Sequence, residues 1–365
     1  MKLTTINFAV LVVLAAGVLS SCAVLGGKPP KCDLENADCR RWTYSAPSKY
    51  WPAPTVDDGV VWKELKAIDF TVKSKNPKAV ELGRTLFFDP RLSSDGTISC
   101  ASCHQPEHGY ADTTAVSTGI LGRQGRRNAP SLLHLYVEKQ DSYFWDGRAE
   151  TIEKQAVMPI NDPNEMNIDL NHLPNLVKQL GYEKYFQAAF NREISLETIG
   201  QALAEYEKTL RPQKTRFDQF LEGNANALTD EEIWGLHLFR TKGRCMNCHY
   251  GEAMTDGKLH NLNESYYGRK QQDLGRYEIT QNPDDWGKFK TPGLRNLSQT
   301  KPWFHHGLYV NLRGVVNIYN MGMPNAKVPD DAPEIAKQNH LDPLIKPLKM
   351  TREEMNAMTR FLEAL

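Results

Sequence analysis

The 365-residue sequence carries no surplus of either charge: 44 lysines and arginines stand against 44 aspartates and glutamates. That balance gives no electrostatic case for nucleic acid or an anionic membrane surface as the partner, although a local charged patch for a redox protein stays open. Strand-like alternation is scarce, which turns the reading away from a sheet protein. Long apolar runs are almost absent. The single one, Ile6 to Leu19 behind Lys2, is short for a bilayer span and suits the core of a signal peptide. It ends in Leu19-Ser20-Ser21-Cys22, a bacterial lipobox pattern in which cleavage leaves Cys22 lipidated. A plain signal peptide and an uncleaved anchor are the other readings. Ala23 after that cysteine suits sorting to an outer membrane. Residues 1–21 are thus expected to be a lipoprotein signal peptide. The protein is then exported to the periplasmic side of a bacterial membrane and touches that membrane through lipid alone.

Spare cysteine is also missing. Of seven cysteines, six follow Cys22, and export would put them in an oxidising compartment. Four fall in two motifs, Cys100-Ala101-Ser102-Cys103-His104 and Cys245-Met246-Asn247-Cys248-His249. Two thiols three residues apart can add to the two vinyl groups of one haem, and the adjacent histidine is then held under its iron. A zinc site wants further ligands near by, and a redox dithiol explains neither histidine. The chain is therefore expected to carry two haem c groups. Cys32 and Cys39 remain, close together in a polar stretch, and could close a small disulfide loop; nothing in the sequence fixes their geometry.

Residues 22–76 are rich in Pro, Gly, Ser and mixed charge and read as a tether with little core of its own. From about Pro77 a repeat appears. Leu82-Gly83-Arg84-Thr85-Leu86-Phe87 precedes the first motif and Trp234-Gly235-Leu236-His237-Leu238-Phe239 the second, each resembling a helix with a small residue on its packing face. Leu196 to Leu210 and Thr351 to Leu365 have helical apolar spacing; Leu176 to Phe190 has it too, interrupted at Gly181. Leu228-Thr229-Asp230-Glu231 is a helix-start signature. The expectation is a mainly α protein with two cytochrome-c-like domains, 77–227 and 228–365, each holding one haem.

Further motifs carry a resemblance. Leu86-Phe87-Phe88-Asp89-Pro90-Arg91-Leu92-Ser93, Phe144-Trp145-Asp146-Gly147-Arg148-Ala149, Leu294-Arg295-Asn296 and Trp303-Phe304-His305 are similar to those of the bacterial di-haem cytochrome c peroxidases, including their MauG-type branch. The similarity runs from about residue 77 to the C-terminus. It implies that the first haem meets hydrogen peroxide, that the second stores or relays electrons, and that a calcium ion lies between them. Trp145 then matches the tryptophan between the haems. Gln155, Pro159 and Glu165 match the pocket over the first haem, with Gln155 orienting peroxide and Glu165 moving its proton. Asn128, Thr300 and Pro302 match the calcium position, which uses an amide oxygen, backbone carbonyls and waters. The calcium rests on the resemblance alone.

Three departures from the family pattern qualify what it implies. Seventeen residues after Pro302, where typical members place a methionine ligand for the second haem, stands Tyr319, as in MauG-type members. Met321 and Met323 are the rival ligands. Methionine favours reduced iron, whereas an oxygen ligand favours high oxidation states. The histidine that many members hold over the first iron is replaced by Ile120, and no histidine lies between His108 and His134. The surface tryptophan that MauG places two residues before its second motif is Gly243 here; Trp303, Trp234 and the pair Tyr266-Tyr267 are other possible exits. Two functions therefore stand: a peroxidase drawing electrons from a small cytochrome c or cupredoxin, and a MauG-like enzyme that oxidises a Trp or Tyr of a partner protein through a high-valent di-haem state. A non-enzymatic electron carrier is the third, disfavoured by the Gln155 and Glu165 pocket.

Overall fold

Helix ends are written into the chain by capping residues, and the computed structural model shows them in use. It describes residues 31–71, 73–136, 141–324, 328–338 and 340–365. The expected signal peptide and Cys22 lie outside the described residues. Asn76 caps α2 (Pro77–Phe87), accepting from the Ala79 N–H with Pro77 in the first turn. Thr229 with Glu232 and Thr351 with Glu354 form capping boxes on the helices Asp230–Arg240 and Arg352–Glu363. Gly181, at φ +86°, splits the stretch after Leu173 into two helices, Leu173–Gln179 and Glu183–Phe190.

In chain order, the described helices are α1 (Ala37–Ser45), α2, α3 (Cys100–Cys103), α4 (Ile152–Asn161), α5 (Leu173–Gln179), α6 (Glu183–Phe190), α7 (Leu196–Glu207), α8 (Arg216–Leu221), α9 (Asp230–Arg240), α10 (Tyr277–Thr280), α11 (Leu312–Asn320), α12 (Glu334–Lys337) and α13 (Arg352–Glu363). The described strands are β1 (Leu259–Asn261) and β2 (Lys288–Lys290), antiparallel, with His260 opposite Phe289. The protein is mainly helical, as expected.

The helices bury two main cores. Leu82, Leu86 and Phe87 of α2 close on Ile199 and Leu203 of α7 and Phe186 of α6. Ile233, Leu236 and Phe239 of α9 close on Phe217 of α8 and Phe361 of α13. The same device sets both main crossings. A Cβ at Gly83 would land inside the Ala202 carbonyl of α7, and one at Gly235 inside the Ala357 carbonyl of α13. Each haem-motif helix thus meets the helix across from it backbone to backbone.

The stretch expected as a tether behaves differently. Tyr44 of α1, Trp51 and Leu65 are buried in the second core. Arg41 donates to the carbonyls of Ala225 and Leu228, and the buried Arg240 bonds the Pro52 carbonyl and Glu64. Val56 and Trp62 pack against the same core, so these apolar residues of the segment are buried against another element's core. Cys32 and Cys39 are disulfide-bonded across the N-cap of α1, Cα atoms 6.0 Å apart.

Two glycines give opposite expectations. Gly→Ala in a helix gains about 1 kcal/mol from propensity, whereas overpacking costs about 1–3 kcal/mol. At Gly235 the obstacle is backbone and cannot yield, so Gly235→Ala lowers the melting temperature. At Gly314 in α11 an added Cβ meets nothing within 4 Å, so Gly314→Ala raises it. Thermal unfolding followed by circular dichroism reads both; equal shifts for the two variants would refute the packing account.

Candidate haem and peroxide site

Between the two cores lies a cavity of about 650 Å³, walled by residues of both and within the range of cofactor sites. Cys103 and His104 stand on one side; Cys245, Cys248 and His249 stand on the other. Cys100 is off the wall and packs against the first core. The four motif thiols are unpaired with one another. Burial pushes them up, Cys103 to about 11 and Cys245 to about 12, so none is a ready thiolate. That argues against a redox dithiol.

The histidines are prepared as ligands. Nδ1 of His104 meets the Tyr110 carbonyl at 3.2 Å, and Nδ1 of His249 meets the Met254 carbonyl at 3.0 Å. A carbonyl can only accept, so the proton sits on Nδ1 and the lone pair on Nε2. The carbonyls of Pro130 and Pro292 support the two rings in the same way, and burial lowers both imidazoles, keeping them neutral. Paired thiols, a neutral imidazole with a free Nε2 and a shared cavity fit haem c at each motif.

The residues expected over the first haem come together. Gln155 and Pro159 are one turn apart on α4, and Glu165 follows in the loop after it; all three line the wall with His104. The Gln155 side-chain oxygen is buried with no hydrogen-bond partner in the protein, a site that calls for a donor. Burial first, then the Asp162 charge, raise the Glu165 carboxyl to about 7, with Arg148 opposing. Ile120 is buried off the wall, its N–H bonded to the Glu165 carbonyl, and His108 is off the wall as well. Gly119 has no room for a side chain against the backbone of Asn164 and Glu165.

Trp145 is 9% exposed and lines the same cavity, its indole N–H donating to the Asn128 carbonyl at 2.9 Å. Asn128, Thr300 and Pro302 are buried and line the wall together. Their oxygens are of the hard type calcium takes, with no carboxylate among the three. On the second side Tyr319 faces the cavity from the last turn of α11. The helix ends at Asn320; Met321 is 60% exposed, and Met323, beyond Gly322, is buried away from the wall. The rival methionines are therefore turned elsewhere.

Other wall residues escaped the sequence reading. His305 is buried with Nε2 unpartnered and stacks on Phe289 at 3.5 Å. Arg127 is clasped between Asp146 and Asp273; burial opposes the Asp273 charge, but the arginine holds that carboxyl down at about 2. His260 meets Asp342 at 2.6 Å and Asp256 at 2.9 Å. Burial works against its charge, yet the two carboxylates push it up to about 12. Cys248, Asp256 and His260 converge beside the second motif, where the imidazole is paired with the two carboxylates. A signal for His305 was present: Tyr143–Ala149 and Trp303–Tyr309 are the same loop twice. Each is closed by a bridge between its ends, with φ of +65° at Phe144 and +68° at Phe304. Register places His305 opposite Trp145.

Comparison with known proteins agrees with this geometry. The family model described as di-haem cytochrome c peroxidase matches residues 77–226. The chain is 32% identical over 330 residues to cytochrome-c peroxidase IdrP2 of Denitromonas iodatirespirans, covering 83% of this chain and 85% of that protein. It is 34% identical over 297 residues to the methylamine utilization protein MauG of Methylorubrum extorquens, covering 79% and 78% respectively. The solved structure of the diheme peroxidase BthA from Burkholderia thailandensis superposes with a TM-score of 0.71 at 26% identity, over 87% of this chain and 94% of that one. The chain belongs to the di-haem cytochrome c peroxidase family, oxidoreductases that act on peroxide and carry haem c.

Proposed function

We propose that this protein is a two-domain, two-haem peroxidase that reduces hydrogen peroxide to water with electrons from a small redox protein. The carrying observation is one cavity wall that brings together a carboxyl raised to about 7, an unpartnered amide oxygen and a histidine prepared as a ligand. Cys100, Cys103 and His104 hold the first haem; Cys245, Cys248, His249 and Tyr319 hold the second. Bound there, haem supplies the iron that takes peroxide and the redox capacity for two electrons. The Gln155 oxygen accepts a hydrogen bond from peroxide and sets its direction. Glu165 takes the proton from the near oxygen and delivers it to the far one, so that water rather than hydroxide leaves. Trp145, held by Asn128, lies on the electron path between the sites. Asn128, Thr300 and Pro302 hold a calcium ion that keeps the two halves in register.

Export and a lipid anchor at Cys22 belong to the same proposal, supported by the Cys32–Cys39 disulfide, which an oxidising compartment sustains. A second reading, MauG-like oxidation of a partner protein, is favoured by one observation: the Tyr319 phenol, able to serve as an oxygen ligand, lines the cavity shared with the second motif. The two part on turnover. Fast peroxide-dependent oxidation of a reduced small cytochrome supports the peroxidase. Negligible turnover with a long-lived two-equivalent oxidised state supports partner oxidation.

Three expectations follow from the wall. Glu165→Gln slows the reaction with peroxide by about 10²-fold or more, read by stopped-flow absorbance, and leaves haem content intact. Unchanged kinetics would remove Glu165 from the chemistry. The active form is the carboxylate, so kcat/KM for peroxide falls as pH drops through about 7, the value of the raised carboxyl, and that inflection disappears in the glutamine variant. A flat profile down to pH 5 would contradict the assignment. Tyr319→Phe alters the second haem's absorption and reduction potential; with neither altered, Met321 or Met323 takes its place as ligand.

A further inference from the structure

The exit that a tryptophan provides in MauG is closed in this chain. A Cβ at Gly243 would meet the Leu238 carbonyl at 2.8 Å and the Met358 methyl at 2.5 Å. Electrons must enter or leave the second site elsewhere. One set of buried and half-buried side chains outside the haem motifs runs from the Tyr319 side of the cavity outward. The Phe304 ring lies 6.5 Å from Tyr319 and 4.8 Å from Tyr309, centroid to centroid. His306 stacks parallel to Phe304 at 5.7 Å and meets Tyr309 at 5.5 Å and Tyr266 at 5.2 Å.

At the centre of this aromatic group is a carboxylate, Glu264, 1% exposed. The Tyr309 hydroxyl donates to its Oε1 at 3.1 Å. His306 Nε2 meets its Oε2 at 3.0 Å, while His306 Nδ1 accepts from the Leu308 N–H at 3.1 Å. A backbone N–H can only donate, so Nδ1 carries the lone pair and Nε2–H donates to Glu264. The Tyr266 hydroxyl lies against both Glu264 and Tyr309. Tyr266 is held at φ +49°, a left-handed conformation that a bulky residue takes only where surrounding contacts sustain it. The outer end reaches solvent: Tyr309 sits between Leu308 and Val310, 46% and 66% exposed.

We propose that Tyr309 and Tyr266, with Glu264 as their proton acceptor and His306 as its anchor, form a proton-coupled relay between the second haem site and the surface. The inference rests on the peroxide chemistry proposed above. In each cycle Tyr309 gives one electron toward the oxidised second site, and its hydroxyl proton moves to Glu264 Oε1. The phenoxyl then takes one electron from a reduced partner, a small redox protein or an oxidisable side chain, and the proton returns from Glu264. One electron crosses and no proton is lost; two cycles match the two electrons taken by one hydrogen peroxide. Burial, then the Glu264 charge, raise the Tyr309 phenol to about 12, so at rest it keeps its proton and releases it only with the electron. An adjacent base makes that joint loss far easier than loss of the electron alone.

The test uses the haem-loaded full chain mixed with peroxide, without a donor, and frozen for electron paramagnetic resonance. The wild type is expected to give a tyrosyl signal. Tyr309→Phe and Glu264→Gln are expected to lose it and to slow oxidation of a reduced small cytochrome about tenfold or more, while the optical reaction with peroxide keeps its rate. Mass spectrometry of the wild type trapped with a nitroso compound should place the adduct on Tyr309 or Tyr266, which serves if a variant fails to load haem. A tyrosyl signal and cytochrome oxidation at wild-type levels in the Tyr309→Phe, Tyr266→Phe double variant would overturn the relay, as would an adduct confined to other residues. Loss in Tyr309→Phe with full retention in Glu264→Gln would overturn its proton-coupled form. A wild type whose spectrum ignores peroxide removes the proposed function as well, so the two failures are distinct.

Discussion

The two cores are joined by a reciprocal exchange of backbone hydrogen bonds, and the cavity depends on it. The Asn128 N–H donates to the His305 carbonyl, and the Lys290 N–H donates to the Trp145 carbonyl, both at 2.7 Å. Each half thus offers a loop whose apex residue is gripped by an extended segment of the other. The bonds are buried, so breaking them strands four polar groups away from water. Arg127, next to Asn128, adds a charge clasp between Asp146 and Asp273. Buried ion pairs contribute little net stability but penalise alternatives in which one partner is left alone. The consequence is geometric: the two histidine sites are held around one cavity whose wall Trp145 shares. An electron path tolerates little variation in separation, and this joint removes the softest source of variation, rotation of one half on the other.

Duplication supplies the frame, and divergence supplies two chemistries. Tyr110 and Met254 offer equivalent carbonyls to the two histidines, and Pro130 and Pro292 offer a second equivalent pair. Both loops repeat the same left-handed turns. Against that sameness, Trp145 stands opposite His305 and Asp146 opposite His306. The first site receives an acid whose carboxyl is poised near neutrality and an amide oxygen lacking a partner. The second receives a phenol and an aromatic cluster around Glu264. Two sites with such different surroundings suit different work, because burial and neighbouring charge set which proton or electron each can move.

What the chain discloses before folding follows from sequence distance. The Cys-x-x-Cys-His motifs are contiguous, so their chemistry is legible without a fold. Thr229 and Thr351 act on N–H groups three residues away, and Gly83 and Gly235 occupy equivalent places before the two motifs, where each lets its helix pack closely. Tyr319 reaches the cavity from an unbroken helix, Leu312–Asn320, that ends before Gly322. The docking of segment 31–71 is hidden in the sequence because its polar composition conceals widely spaced apolar residues, among them Tyr44, Trp51 and Leu65, whose core lies more than 150 residues away in sequence. Glu264, in Asn263-Glu264-Ser265, has every local mark of a solvated loop; its burial comes from Phe304, His306 and Tyr309 some 40 residues on. Only long-range contact turns such a carboxylate into a buried base.

The same contrast bears on how oxidising power is kept. At the first site, Ile120 and Gly119 turn their backbone to Glu165, and on the proposed function peroxide then enters without prior movement of a histidine from that loop. A site open at all times accepts oxidant whether or not a donor is near. The equivalents must then rest somewhere harmless, and an oxygen-ligated second site suits that better than a thioether one. Holding them safely requires that escape be slow until a partner arrives. A relay whose electron can leave only with a proton, into a carboxylate already occupied by His306, provides that restraint: the barrier belongs to the coupled step rather than to distance alone. On this reading, the buried Glu264 is to discharge what Glu165 is to loading, an acid–base group at each end of one electron path.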